Sequence, residues 1–349
     1  MRPEGRALRR FLERAFVPGL PGASVLEDVV SSPVDEGGWY GAWSLDVRLA
    51  DGTGHRLFLK DYGIYRQPKR DMAGRRERER CVYRGLLRPD RHGTARYHGS
   101  EWDREAGRYW LLLEFVEGVP VSHLALEAWC RSAAWLARFQ ASRPGGPAAG
   151  PCRGRLVTHD RRFFVDVAAR AVEALSTRSR RRGRQLRRTL REYGDWVDGL
   201  LVEDAPVFVH GAYLPGQILS SGDGEDRRLC PLDWELAALG SPAYDLGFLA
   251  YGFQGEERAA LLGAYRRELE RAGGEAPDDL SRRVACVGVH YTLTALAHSA
   301  ERGYDDGAVL EYLDLLEGLV ERAGPGEAGV TSPGGRGPGD AVTGGRAGG

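Results

Sequence analysis

An α+β chain of two lobes is the architecture this sequence predicts, with strands dominating the first lobe and helices the second. Three observations point to it. Apolar runs with strand character, broken by glycine-rich turns, fill the chain up to about residue 116. From about residue 124 to 300, apolar residues recur mostly at helical spacing. Within that helical half lie two short apolar runs flanking a polar turn, and the second of them ends on an acidic residue. The boundaries expected are therefore 1–116 for the first lobe, 117–323 for the second, and a tail over 324–349 of Gly, Pro, Ala and small polar residues. That tail has little to bury and is expected to be disordered.

In order along the chain, residues 39–49 predict a strand after a Gly pair, Asp51-Gly52-Thr53-Gly54 a turn, and residues 55–60 a returning strand that ends at Lys60. A charged helix is expected over 75–87, with Cys81, Val82, Leu86 and Leu87 as its apolar positions. The largely apolar run 108–116 predicts another strand, stopped by Gly118 and Pro120. Residues 124–140 place Leu126, Trp129, Ala133, Leu136 and Phe139 at helical spacing, and 163–175 and 186–201 each read as one helix. After the two short apolar runs, helices are expected over 244–251, 256–272 and 280–300.

Composition narrows the function classes. Basic and acidic residues balance at 49 each, so no global field argues for nucleic acid or a membrane surface. Among the basic residues only Lys60 and Lys69 are lysine. The arginine excess reflects coding bias, and a lysine retained against that bias invites a chemical reason. The cysteines, Cys81, Cys130, Cys152, Cys230 and Cys286, are odd in number, widely spaced and free of any CxxC, so five reduced thiols are expected. The charged N-terminus lacks an apolar signal core and no apolar run has membrane-helix length, which predicts a cytoplasmic chain.

The polar turn carries the chemistry. It reads Phe208-Val209-His210-Gly211-Ala212-Tyr213-Leu214-Pro215-Gly216-Gln217-Ile218-Leu219, followed by Leu229-Cys230-Pro231-Leu232-Asp233-Trp234-Glu235 and then Ser241-Pro242-Ala243-Tyr244-Asp245-Leu246. These segments resemble, in order, the HGDxxxxN, (I/L)DWE and DPxYDL segments of the aminoglycoside phosphotransferase and choline kinase-like family, and the likeness runs over about residues 25–300. Three motifs in register with a lysine strand upstream are far more specific than any one alone. The resemblance implies a protein kinase-like fold with ATP or GTP bound chiefly by the first lobe, Mg2+ beside it, and a hydroxyl-bearing small molecule or peptide as acceptor.

On the nucleotide side, the resemblance implies that Lys60 reaches the α- and β-phosphates. An acid on the following helix would hold its ammonium, Glu79 by its place four residues before Tyr83, or Glu77 as second choice. Glu36-Gly37-Gly38-Trp39-Tyr40-Gly41 would form the loop over the phosphates, because Gly37, Gly38 and Gly41 let backbone N–H groups approach an anion. Glu114 to Gly118, with Glu114 and Val116, would be the hinge whose backbone meets the base. On the reaction side, Asp233 matches the Mg2+ ligand and Gln217 stands at the second ligand position, one methylene longer than the usual Asn. His210 and Asp245 are read as architectural supports of the catalytic loop, and Glu235 as an exposed acid.

Ala212 departs from the pattern, since this position usually carries the catalytic Asp. General-base help is worth about 10²–10⁴ in rate. Phosphoryl transfer leans mainly on positioning and charge stabilisation, so a slow or differently assisted enzyme remains one reading. The alternative is a pseudokinase, a nucleotide-binding or scaffold subunit of a partner protein. The run Arg178-Ser179-Arg180-Arg181-Arg182-Gly183-Arg184-Gln185-Leu186-Arg187-Arg188-Thr189-Leu190-Arg191 is the strongest local charge feature. It suits an acidic peptide, a phosphorylated ligand or a nucleic-acid backbone. It carries no interleaved aromatics, and with neutral overall charge nucleic acid is not expected.

Overall fold

A computed structural model of the chain describes residues 3–22, 24–34, 40–65, 69–144, 146–202, 206–222 and 227–324. The elements run α1 (Gly5–Ala15), β1 (Leu26–Pro33), β2 (Tyr40–Leu49), β3 (Gly54–Tyr65), α2 (Met72–Gly85), α3 (Pro89–His92), β4 (Tyr97–Asp103), β5 (Arg108–Glu114) and β6 (Val119–Pro120). There follow α4 (Leu126–Ala141), β7 (Val157–Thr158), α5 (Arg161–Arg178), α6 (Arg180–Thr189), α7 (Tyr193–Val202), β8 (Val207–Val209), β9 (Ile218–Ser221), β10 (Arg228–Pro231) and β11 (Ala238–Gly240). The last four helices are α8 (Ala243–Leu249), α9 (Gly255–Arg271), α10 (Leu280–Ala297) and α11 (Asp306–Ala323).

Two compact units result. One takes the described residues of Met1–Pro120 and Leu219–Glu235, the other those of Val121–Ile218 and Leu236–Gly339. The first is built on an antiparallel sheet in the order β1-β2-β3-β5-β4. Apolar residues of α1 at i, i+3 and i+4, namely Leu8, Phe11 and Leu12, join Leu45, Val47, Leu57, Leu59, Trp110 and Leu112 in one buried cluster. Neither α1 nor its packing partner β1 was anticipated, because α1 is short and five of its eleven residues are charged, Arg6, Arg9, Arg10, Glu13 and Arg14, which leaves few apolar positions to show a helical period.

The strand expected to stop at Lys60 continues to Tyr65. Asp61 follows as a charged residue, but its buried carboxylate accepts from Trp110 Nε1 at 2.9 Å and from the Gly63 amide at 2.8 Å, so the strand carries it through. A register shift between Tyr40 and Gly41 then pairs Gly41 with Asp61 and Tyr40 with Tyr65. The helix expected from residue 75 begins at Met72, capped by Asp71, whose side chain accepts from the Gly74 amide at 3.1 Å.

In the second unit α4 packs on α9, and α10 lies among α5, α8 and α11. Most of α10 is buried, which is why its apolar residues follow no single stripe. A three-stranded sheet of β7, β11 and β8 pairs β11 parallel to β7 and antiparallel to β8. The single helix expected over 186–201 is two, α6 and α7, parted at Leu190, where the backbone leaves helical values (φ −91°, ψ 16°). The helix α11 was not anticipated.

Cys130, Cys230 and Cys286 are free thiols, while Cys81 and Cys152 are disulfide-bonded, which corrects the expectation of five reduced cysteines. Sequence spacing carries no information on which distant cysteines folding brings to bonding distance. Among the described residues no helix is long and apolar enough to cross a membrane.

Candidate functional site

Lys60 lies in the middle of β3, opposite Ala42 of β2 and Leu111 of β5. Its Nζ donates to Glu79 Oε2 at 2.8 Å and to Asp233 Oδ1 at 2.5 Å. Glu79 comes from α2 and Asp233 from the segment following β10, so one sheet strand, one helix and one hairpin end converge on a single ammonium. The rings of Tyr62 and Tyr40 flank it, with centroids 4.8 and 5.1 Å from Nζ.

Electrostatics keep this lysine charged. Burial by itself would lower its pKa, but Asp233, Glu79 and Glu235 together outweigh that and raise it well above the usual value. Glu79 is 1% exposed, so burial raises its carboxyl's pKa while the Lys60 ammonium beside it lowers it. Both of its oxygens are satisfied, since Oε1 accepts from the Trp234 amide at 3.1 Å while Oε2 accepts from Lys60.

Asp233 has φ +63°, a left-handed conformation that costs free energy for a residue with a Cβ. The strained backbone aims a carboxylate that remains 30% exposed beside a buried lysine. One carboxylate oxygen from each of Glu79, Asp233 and Glu235 lies within 4.8 Å of the others, an arrangement able to take a hard cation.

Glu235 is not the exposed acid expected from the sequence but is 2% exposed. Its Oε1 accepts from Lys69 Nζ at 2.6 Å and from Arg75 at 2.8 Å, and its backbone carbonyl accepts from Arg78 at 2.6 Å. An acid following a tryptophan reads as surface because nothing local offers it cations, whereas here both α2 and the chain just before it supply them. Lys69, whose Nζ also lies 4.7 Å from the Tyr40 ring centroid, has no motif to mark it. The scarcity of lysine was the one signal that could have found it. Burial lowers its pKa, offset in part by Glu235 and Asp233.

The remaining nucleotide-side candidates divide. Gly37 and Gly38 lie outside the described residues, and Gly41 sits in β2 beside the register shift. Glu114 ends β5 with its side chain engaged by Arg228, at 2.6 Å to Oε1 and 2.9 Å to Oε2, and by the Arg96 amide at 3.0 Å. The Glu114 amide in turn donates to the Arg96 carbonyl at 2.8 Å. Val116 is half-buried in the irregular segment between β5 and β6. Glu77, the second choice to Glu79, instead accepts from Trp102 Nε1 at 2.6 Å and pairs with Arg80 at 2.7 Å.

In the second unit the loop after β8 is held from α8. Asp245, fully buried, accepts from the His210 amide at 2.7 Å through Oδ2 and from the Gly211 amide at 2.9 Å through Oδ1. Burial raises its carboxyl to about 7 while those two N–H groups pull it down. His210 Nδ1 accepts from the Ala212 amide at 3.3 Å. Gly211 has φ +82°, and a Cβ there would meet the Leu236 carbonyl oxygen at 2.0 Å, so only glycine fits. Tyr213 donates to the Ser132 carbonyl at 3.0 Å, which anchors the loop to α4. Ala212 is 7% exposed and brings no functional group. Gln217 closes the helical turn Pro215–Gln217, its amide donating to the Leu214 carbonyl at 2.9 Å.

Comparison with known proteins adds the family. The model described as "Phosphotransferase enzyme family" matches residues 41–280. The GDP complex of wild-type aminoglycoside 2'-phosphotransferase-IIIa is similar in structure, with TM-score 0.57 and 16% identity over 89% of this chain and 98% of that one. A thermostable mutant of aminoglycoside phosphotransferase APH(4)-Ia, solved with ADP and hygromycin B, gives 0.58 and 18% over 92% and 100%. A choline/ethanolamine kinase family protein from Mesorhizobium loti gives 0.54 and 15% over 90% and 99%. At these identities the structures establish the kinase-like fold. No curated protein matches the chain.

Proposed function

The chain belongs to the phosphotransferase enzyme family, and from that premise we propose that it transfers the terminal phosphoryl group of ATP or GTP to a hydroxyl of a small molecule or peptide. The observation that carries this is the convergence of Lys60, Glu79 and Asp233 on one buried ion-pair network. A scaffold with no use for a nucleotide has little reason to bury a lysine between two carboxylates beside a strained aspartate. Nucleotides in two of the similar structures, GDP in one and ADP in the other, support the same reading.

The residues present fit both implied groups. Lys60, held charged and oriented by Glu79, would meet phosphate oxygens, and Lys69, also beside the Tyr40 ring, is a second cation. Asp233 presents a partly exposed oxygen donor of the kind Mg2+ takes, with a Glu79 and a Glu235 carboxylate oxygen within 4.8 Å; the family pattern puts Gln217 at the second ligand position. When bound, Mg2+ neutralises charge on the phosphates. In the first unit Glu79 positions Lys60; in the second, Asp245 and Gly211 set the path of the loop that carries Ala212. The acceptor oxygen forms the new P–O bond as the bond to the nucleoside diphosphate breaks. With alanine at position 212 the hydroxyl proton leaves to solvent, to the phosphoryl oxygens or to a base on the acceptor. A low turnover follows from that.

Ala212 also favours a second reading, a nucleotide-binding pseudokinase that serves a partner protein without turnover. Calorimetric titration of ATP and of GTP, with and without Mg2+, on the wild type and on Asp233→Ala tests the shared core of both. Mg2+-dependent binding lost in the variant is the expected result. A folded protein that binds neither nucleotide would sink both readings. Phosphate transfer to a panel of hydroxyl acceptors then separates them.

A further inference from the structure

We propose that the outer face of α6 is a docking strip for an acidic polypeptide segment whose carboxylates recur at about one helical turn. Arg180, Arg181, Arg184, Arg187 and Arg188 are all exposed, and at 100° per residue they fall within an arc of roughly 120°. Arg191, just past the cap, is exposed as well and extends the row. The opposite face is committed to the fold. Gly183 and Leu186 are buried, and a Cβ on Gly183 would meet Ser176 Oγ at 2.0 Å and Ser176 Cα at 2.9 Å, so α6 lies directly on α5. The outer face of the helix is therefore turned away from the fold.

Carboxylates do reach this helix, at the inner Arg182 and at Gln185, whose side-chain amide donates to Glu317 at 3.5 Å. Asp306 lies 3.1 Å from Arg182, whereas among the described residues no carboxylate lies within 4.0 Å of the five outer guanidinium groups. The arginines of this helix oppose its formation in two ways, along the outer row and at its start. Like charges face one another at i,i+3 and i,i+4. Arg180, Arg181 and Arg182 also stand at the positive end of the helix, with no acid in its first turn. The Ser179 cap and the Asp306–Arg182 pair offset part of this, but the outer row itself has no acidic partner among the described residues, which marks it as a surface for something outside the chain.

The geometry selects the occupant. The strip is one helix wide and about 15 Å long. No aromatic residue interleaves it to stack bases. Its one leucine inside the helix, Leu186, is buried, so nothing apolar faces outward to enter a bilayer. Asp306 and Glu317 border it on α11, where they would repel a broad polyanion but leave room for a row of carboxylates over the arginines. Guanidinium forks take carboxylates in bidentate pairs, and one helical turn of arginine spacing matches one turn of an acidic helix.

The test uses the full chain and a fluorescein-labelled helical peptide of Glu-Ala-Ala-Ala repeats, read by anisotropy at fixed salt. The wild type is expected to bind it. Changing Arg180, Arg184 and Arg187 together to Gln is expected to weaken binding at least ten-fold with thermal unfolding unchanged, and changing the same three to Lys is expected to give an intermediate loss. No binding by the wild type, or equal binding by the Gln variant, overturns the proposal. Tighter binding of an oligothymidylate strand or of phosphatidylserine vesicles overturns the choice of occupant. Should the Gln variant fail to fold, a peptide with Lys in place of Glu, tried on the wild type, decides: binding as tight as that of the acidic peptide overturns the proposal.

Discussion

Lys60 is the cation at the centre of the first unit's buried charge cluster, and its removal has a calculable consequence. Glu79 is 1% exposed and accepts from the lysine at 2.8 Å, so Lys60→Met leaves a buried carboxylate without its cation. Breaking one partner of a buried pair costs roughly 3–5 kcal/mol, while replacing both by apolar residues is often neutral. Urea unfolding of Lys60→Met should show a loss of that order, and the double variant Lys60→Met, Glu79→Leu should recover most of it. A double variant no more stable than the single would mean that Glu79 needs no cation. At Ala212, Ala212→Asp restores the acid that the family pattern places there. Where an acceptor is turned over at all, the rate should rise by about 10²–10⁴, the worth of a general base. A rise in KM with kcat unchanged would show instead that the position lines the acceptor site.

At the scale of elements, α10 carries a pH dependence of its own. His290 is buried among Phe163, Phe164 and Tyr244, and Tyr193 Oη lies 3.2 Å from its Nδ1. Burial, reinforced by Arg170, depresses its pKa from 6.5 to about 3. The folded imidazole is thus neutral where the unfolded one takes a proton. Its contribution to stability is complete above pH 6.5 and is lost as pH falls toward 3, at roughly 1.4 kcal/mol per pH unit. Unfolding free energies of the wild type and His290→Phe, compared from pH 7.5 down to 5, should draw apart with that slope, the wild type losing ground. Parallel profiles would show that the histidine titrates alike in both states.

Across the whole molecule, nucleotide binding should register as stability. A ligand at one hundred times its Kd adds about 2.7 kcal/mol to the free energy of unfolding. Melting with Mg2+ and excess ATP or GTP should therefore raise Tm in the wild type and not in Asp233→Ala. A shift of equal size in both would place the nucleotide away from Asp233.

The sequence by itself determined the fold class, the order of most elements and the register of three motifs. Strand and helix periods are local, and the Lys60, Asp233 and Asp245 positions are legible because motif chemistry depends on neighbours along the chain. What only the tertiary structure decided are matters of distance between residues far apart in sequence. The choice of Glu79 over Glu77 depends on which face of α2 turns toward Lys60. The passage of β3 beyond Lys60 depends on Trp110 satisfying Asp61 from β5. Glu235 is buried because Lys69, Arg75 and Arg78, some 160 residues earlier, supply its cations. The physical reason is common to all three: burying a charge is unfavourable unless partners are present, and the partners are chosen by folding, not by proximity along the chain.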